Sequence, residues 1–433
     1  MYPNLYYAFK DLFGVEIPFL KVVNSFGFFV AISFLAAAWL LIKELKRRQA
    51  LGEFTYTETT INVGKPATAG ELLINFLLGF ILGFKIIGVL IVKGAIDDPQ
   101  TFIFSKDGSW SAGLLLGLFF AGLKWWEKNK NKLPKPEERK VRIWPSDRVG
   151  DITIIAAASG FIGAKIFDNL ENWDRFVEDP LGNFLSPSGL TFYGGLIVAI
   201  IVLWYYFHKK GISFIKIADA TAPSLMLAYG IGRAGCQVSG DGDWGILNSA
   251  YISNHAGGVV KATPVQFNGI LQSYSDFYTQ QFGSLQAVQH SAQKSFLGLP
   301  DWFFAYTFPH NVNKEGIPLP NCDWDGYCMH LPLPVYPTSL YELIMGLLLF
   351  TFLGVIRKKI KITGRLFAIY LVVNGIERFF IEKIRVNNKY DIFGFHPTQA
   401  EIISVCLVII GILLYVYAPK IWGVSKIKTN VSA

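Results

Sequence analysis

The sequence predicts an all-α polytopic membrane protein of about nine transmembrane helices, each with the roughly 20 apolar residues needed to cross a hydrocarbon core. Three observations predict it. Apolar stretches of spanning length recur along the whole chain. Charged residues make up only 17% of the 433 positions, against about 25% in an ordinary soluble domain. Lys and Arg gather in alternate connections, the pattern that fixes helix orientation in a bilayer.

The expected spans are 23–43, 70–93, 109–126, 149–167, 189–208, 214–232, 338–356, 364–383 and 398–418. The sixth is the weakest, because Asp219 and Pro223 interrupt its apolar run. Basic clusters follow the first, third, fifth and seventh spans: Lys43 to Arg48, Lys124 to Arg148, Lys209-Lys210, and Arg357 to Arg365. Lys420, Lys426 and Lys428 close the chain on the same side. The intervening connections are acidic or neutral, as at Asp97-Asp98 and from Asp168 to Asp179. The basic side is cytoplasmic, so the N-terminus is expected outside and the C-terminus inside. A net charge of +8 is thereby explained by topology, and nucleic acid is not an expected partner. Residues 1–22 lack the basic, apolar and small-residue regions of a cleaved signal. Tyr2, Tyr6, Tyr7, Phe9 and Phe13 suit a segment lying at the membrane interface instead.

The segment 246–335 is too long for a simple connector. It is polar, rich in Ser, Gln, Asn and aromatic residues, and is expected to form a small domain or ordered cap on the outer face. Within it, Cys322 and Cys328 are either a disulfide or two free thiols, since an outside location permits the bond and spacing does not decide it. Cys406 reads as packing, and Cys236 as a small residue in a glycine-rich stretch, the alternative being a nucleophile activated by nearby Arg233. Neither cysteines nor histidines show metal-ligand spacing, and no metal or other cofactor is expected. Asp241-Gly-Asp243 looks like a fragment of a calcium loop without its remaining ligands.

Charges inside spans are costly and usually functional. Arg233 ends the sixth span. Arg378, Glu382 and Arg385 recur at spacings of four and three, and so share one face of the eighth. Asp219 and Glu342 also lie in or beside spans. Snorkelling to the interface suits Arg385. Arg233 and Arg378 sit beside Gly232, Gly235 and Gly375, where helices can approach closely. Two guanidinium forks facing one polar pocket match the geometry of a phosphate, and the phosphate at hand is that of a phospholipid.

The segment Gly232-Arg-Ala-Gly-Cys-Gln-Val-Ser-Gly-Asp-Gly-Asp-Trp-Gly245 resembles the signature of the prolipoprotein diacylglyceryl transferase family. In matching order, Ser25-Phe-Gly-Phe28 resembles the family's first helix, and Gly189-Leu-Thr-Phe-Tyr-Gly-Gly195 its Phe-His-Gly-Gly motif. Tyr336 to Glu342 and Asn374 to Arg385 resemble its His-Pro-(Ser/Thr)-Gln-Leu-Tyr-Glu and Tyr-Gly-x-x-Arg-Phe-x-x-Glu-x-x-Arg motifs. The likeness covers 23–45, 149–245 and 336–418. It implies seven family spans, with an added helix pair and basic loop in 46–148, the outer insert 246–335 and a cytoplasmic tail 419–433.

By resemblance, the activity is transfer of diacylglyceryl from phosphatidylglycerol to a prolipoprotein cysteine in a bacterial inner membrane, with the site toward the outer face. Arg233 and Arg378 match the two arginines the family needs, with Glu382 and Asp241 on acidic positions; Gly245 fits only after a one-residue shift. Phe26, Gly194, Gly195, Ser239, Gly240, Gly245, Glu342, Arg385 and His396 are the expected substrate contacts. Tyr193 stands where the family has histidine, Asn374 where it has tyrosine and Cys236 where it has asparagine. Tyr193 then either positions lipid or acts as base, with Asp241, Glu382 or His396 as alternative proton acceptors. Two other readings stay open: a catalytically silent relative that binds lipid or lipoprotein, and an anion transporter, for which no internal repeat is visible.

Overall fold

The structure is a computed structural model that describes residues 1–96, 99–186, 189–387, 390–391 and 394–423. Asp97, Asp98, Lys426 and Lys428, used above for orientation, lie outside the described residues. In chain order the principal helices are α1 (Leu5–Phe13), α2 (Ser25–Ala50), α3 (Ala69–Ile81), α4 (Trp110–Lys130), α5 (Val149–Glu171), α6 (Phe192–Lys209), α7 (Phe214–Ser239), α8 (Pro264–Ser273), α9 (Ser275–Phe282), α10 (Thr338–Ile356), α11 (Arg365–Glu382) and α12 (Gln399–Trp422). Each expected span overlaps one of these helices, the second overlapping α3 and the turns that continue it to Ile91.

Among the described residues, six stretches are long and apolar enough to cross a membrane: α2, Ala69–Ile91, Pro145–Glu171, α6, α10 and α12. Their large side chains, among them Ile74, Leu115 on the neighbouring α4, Leu348 and Leu413, stay uncovered. Such apolar belts belong against lipid. The other three helices carry too much polarity for that test. Lys124, Glu127, Lys128 and Lys130 lie in α4, Lys216, Asp219 and Arg233 in α7, and Arg365, Glu377, Arg378 and Glu382 in α11.

The chain divides into two compact units. The unit made of Glu16–Val22 and Ile42–Phe214 holds two close helix pairs. Gly79 and Gly83 of the α3 stretch face Gly113 and Gly117 of α4; a Cβ on Gly83 would lie 2.2 Å from the carbonyl oxygen of Ala112. Small residues four apart let the backbones approach and gain dispersion contact that lipid does not offer. Phe76, Phe80 and Phe84 complete the seam by lying over Gly117, Gly113 and Gly108. Past Ile81 the helix widens into a π turn, Leu82–Ile87, where Lys85 reaches the carbonyls of Phe102, Ser105 and Asp107 at 3.2, 2.5 and 2.6 Å. The second pair is α5 with α6. A Cβ on Gly194 would strike Phe167, and one on Gly195 would lie 2.7 Å from the oxygen of Gly160.

The other unit contains Met1–Val15, Val23–Leu41 and the described residues from Ile215 to Gly423. Here α7 runs unbroken through Pro223, while the interrupted apolar run expected of the sixth span leaves it outside the six apolar stretches. Asp219 does not belong to a polar site. Its carboxylate accepts from Gly364 N at 2.6 Å and Phe367 N at 2.8 Å and so caps the start of α11. Those first amides have no partner within their own helix, and the helix dipole favours an anion there.

The segment 246–335 folds around its own core of Leu247, Phe267, Tyr278, Val288, Phe308, Leu331, Leu333 and Val335. Cys322 and Cys328 are disulfide-bonded, with Cα atoms 5.6 Å apart. The expected interfacial segment is corrected in part. Tyr6 and Tyr7 of α1 are buried, and Tyr7 stacks on Trp324 at 4.5 Å, so this face packs against the 246–335 domain. Phe9 and Phe13 remain uncovered on the opposite face.

Candidate active site

The charged residues picked out in the sequence converge in one buried cluster within the second unit. Glu342, in the first turns of α10, is completely buried at its centre. Its Oε1 is 2.9 Å from Arg378 Nη1, and its Oε2 is 3.3 Å from Arg233 Nε and 3.6 Å from Arg385 Nη1. Three helices supply these groups except Arg385, which was expected on the eighth span but lies past the end of α11, in a bridge with Gly245. Arg233 lies in the last turns of α7, and Glu342 opens α10. The four-residue spacing of Arg378 and Glu382 stacks them on α11, where Arg378 Nη2 meets Glu382 Oε2 at 3.0 Å. Asn387 donates to the other Glu382 oxygen at 2.5 Å.

Glycine allows the convergence. Gly375 packs on α12, where a Cβ would lie 2.8 Å from Ser404 O, and Gly235 rests on Phe29 and on the backbone of Phe26 in α2. Gly245 is wedged between Ile384, Thr338 and Tyr336, with its amide donating to Tyr336 O at 2.9 Å. These contacts tie the end of the signature to α10 and to the chain after α11. Ser239 is buried and Gly240 has φ +64°; both abut the segment around Asn311. Their visible work is to anchor the loop.

Asp243 is the cluster residue that motif counting missed. Its carboxylate bridges Arg233 and Arg385. The extra residue in the signature is absorbed where Gly240 and Gly242 both adopt positive φ, which carries Asp243 rather than Asp241 onto the arginines. Asp241 stands one step back. It accepts from the amide of Asp243 at 3.3 Å and lines a cavity of about 420 Å³. Trp244, Phe277, Tyr278 and Phe282 wall that cavity, and Arg385 faces it from the cluster. Nε and Nη1 of Arg385 are buried without a hydrogen-bond partner among the described residues. Burial lifts the Asp241 carboxyl above its ordinary range, partly offset by a hydrogen bond from Cys236 and by the charge of Arg233.

One expected contact lies apart from the cluster, and three expected residues belong to the other unit. His396 lines a separate hollow with Phe379, Lys383 and Glu401. Gly194 and Gly195 are accounted for by the packing of α6 on α5, and Tyr193 sits beside them in the first turn of α6, its ring 5.6 Å from Phe192. Two residues with no motif signal join the cluster instead, Tyr229 and Glu377. Tyr229 lies one helical turn before Arg233, a spacing that marks the same face of α7. Glu377 obeys the rule that flagged Arg378, being a charge inside an expected span.

A set of half-buried guanidinium groups around a buried carboxylate, carried by long helices, defines a membrane protein with a charged site. Residues 110–417 match the family described as prolipoprotein diacylglyceryl transferase. Curated proteins named phosphatidylglycerol–prolipoprotein diacylglyceryl transferase are similar to this chain. That of Shouchella clausii is 23% identical, over 64% of this chain and 77% of its own. That of Staphylococcus haemolyticus is 24% identical over 66% and 82%. One from Dehalococcoides mccartyi is 25% identical over 63% and 78%. The chain belongs to the prolipoprotein diacylglyceryl transferase family and is a membrane-bound transferase of lipoprotein biosynthesis.

Proposed function

We propose that the protein transfers the diacylglyceryl group of phosphatidylglycerol to the lipobox cysteine of prolipoproteins in the bacterial inner membrane. The observation that carries this reading is the convergence of Arg233, Arg378 and Arg385 on one buried carboxylate. The lipid phosphate takes the place of Asp243 between the arginine forks, the glycine-flanked loop moving aside. The thiol sulfur attacks the glycerol carbon, an S–C bond forms, and the C–O bond to phosphate breaks. The electron pair leaves with glycerol phosphate, whose added charge the arginines stabilise. The thiol proton passes to Asp241. Glu382 is the weaker candidate for acceptor, since both of its oxygens are already engaged. The chain's own groups supply every step without a metal or redox cofactor.

The aromatic-walled cavity beside Asp241 admits the prolipoprotein segment, and Phe26 contacts lipid. Nine helices span the bilayer, with the N-terminus periplasmic, the C-terminus cytoplasmic and residues 246–335 outside; the loop charges support this. Tyr193 in place of the family's histidine favours one second reading, a silent relative that binds lipid or lipoprotein without transfer.

Arginine variants test the reading. Arg233→Ala and Arg378→Ala should insert normally yet lipidate a lipobox peptide at least about a hundredfold more slowly, the scale seen when a transition-state donor is removed. Lys at either position should restore little, because it lacks the planar fork. Wild-type rates in the Ala variants would rule out a phosphate-clamping role.

A further inference from the structure

Behind the arginines lies a hydrogen-bonded trio that the transfer reading leaves unused. The Tyr229 hydroxyl is 2.9 Å from Glu342 Oε1, and 3.1 and 3.3 Å from the two oxygens of Glu377. Glu377 is buried, one residue before Arg378. A phenolic hydroxyl carries a single proton and donates once. If both carboxyl groups were ionised, one of these contacts would set lone pairs against lone pairs in a site shielded from water. One carboxyl must therefore bring a proton of its own. Glu342 is the ionised member, because three arginines surround it. Glu377 has no ion-pair partner among the described residues, and its hydrogen bonds run to Tyr229 alone.

We propose that Glu377 is held as a neutral carboxylic acid that donates to the Tyr229 oxygen, while Tyr229 donates to Glu342, so that the trio positions Glu342 between the arginines and keeps a further negative charge off the phosphate-binding face. Charge balance gives the reason. Three guanidinium groups, of Arg233, Arg378 and Arg385, are paired with three carboxylates, of Glu342, Glu382 and Asp243. An ionised Glu377 would make the cluster net negative and oppose an arriving phosphate. The groups facing Glu377 are Tyr229 and Arg233 of α7, Glu342 of α10, and Arg378 and Tyr370 of its own helix. Glu377 is thus a positioning residue, acting through Tyr229 and Glu342 and touching no substrate. The position is one that the family's Tyr-Gly-x-x-Arg motif leaves open.

The inference rests on the phosphate reading, and its consequence is a pH dependence of lipid affinity. Raising the pH ionises Glu377, adds an anion beside Arg378 and weakens phosphatidylglycerol binding. The KM for lipid should therefore climb on the alkaline side while kcat changes less. Glu377→Gln copies the neutral acid, since its amide still donates to Tyr229. That variant should keep its neutral-pH KM within about twofold of wild type and lose the alkaline climb. Tyr229→Phe breaks the link and should raise KM across the whole pH range.

Infrared spectra of full-length protein in phosphatidylglycerol nanodiscs provide a readout independent of transfer. Wild type at neutral pH should show the carbonyl band of a protonated carboxylic acid, sensitive to isotope-labelled glutamate and absent from Glu377→Gln. The proposal is overturned if labelled wild type lacks that band, or if the Gln variant retains it. It is also overturned if the Gln variant keeps the alkaline climb or loses more than about a hundredfold in kcat, which would make Glu377 an acid–base group. Lipid binding measured without peptide separates the two claims: absence of transfer with pH-dependent binding intact sinks the transferase reading and leaves the proton on Glu377.

Discussion

At the scale of single residues, the site is governed by the cost of burying charge. Removing one partner from a buried ion pair costs about 3–5 kcal/mol because the remaining charge is stranded. Arg233, Arg378, Glu342, Glu382 and Arg385 hold one another in this way, and they were legible in the sequence for the same reason, as charges where a span should be apolar. Asp243 was not legible. Only the two left-handed glycine turns beside it reveal which aspartate reaches the arginines. Tyr229 carries no charge to betray it, and Glu377 sits at an open motif position.

The acceptor role of Asp241 makes a pH prediction. A base works only when ionised, and burial has raised this carboxyl above its ordinary range. Activity should fall on the acid side, starting at a higher pH than a free carboxylate would give. Asp241→Asn should lose roughly a hundredfold or more in kcat, within the usual range for general acid–base catalysis, and the acid limb should vanish. Tyr193→Phe should retain most activity with the limb unchanged. A measured pH–rate profile in which Tyr193→Phe loses the titrating limb while Asp241→Asn keeps it would transfer the role to Tyr193.

At the scale of helices and connections, each expected span lies on a helix among the described residues, and the sixth, weakened in hydropathy by Asp219 and Pro223, is still one continuous helix. Proline weakens an isolated helix by removing a donor, but α7 is held on both sides of Pro223 by packing, with Ala222 and Met226 buried in a shared core. The polarity of α7 and α11 has two sources: these helices carry the cluster, and Asp219 of α7 caps the start of α11. That is why a composition test passes over them although they are as long as their neighbours. Charge in the connections fixes the direction of each helix, and an impermeant thiol reagent checks it. In a background without Cys406, a cysteine at exposed Gln272 should label from the periplasmic side, and one at exposed Asn131 should not. The reverse pattern would invert the proposed orientation.

At the scale of the whole molecule, the motif residues of 25–28, 232–245, 336–342 and 374–385 lie in one unit, while the Gly189–Gly195 motif belongs to the other; the long polar segment 246–335 has its own core and disulfide. The sequence showed that this segment was too long to be a connector, but not that Phe277, Tyr278 and Phe282 would wall a cavity beside Asp241, since tertiary contact alone brings α9 to the signature. One assay tests the central claim most directly. Purified wild-type protein is incubated with phosphatidylglycerol and a lipobox peptide holding a single cysteine, and both products are weighed by mass spectrometry. The account predicts one diacylglyceryl group on the cysteine sulfur and glycerol phosphate released in equal amount. Unmodified peptide, from protein that still binds the lipid, would contradict it and mark a silent relative.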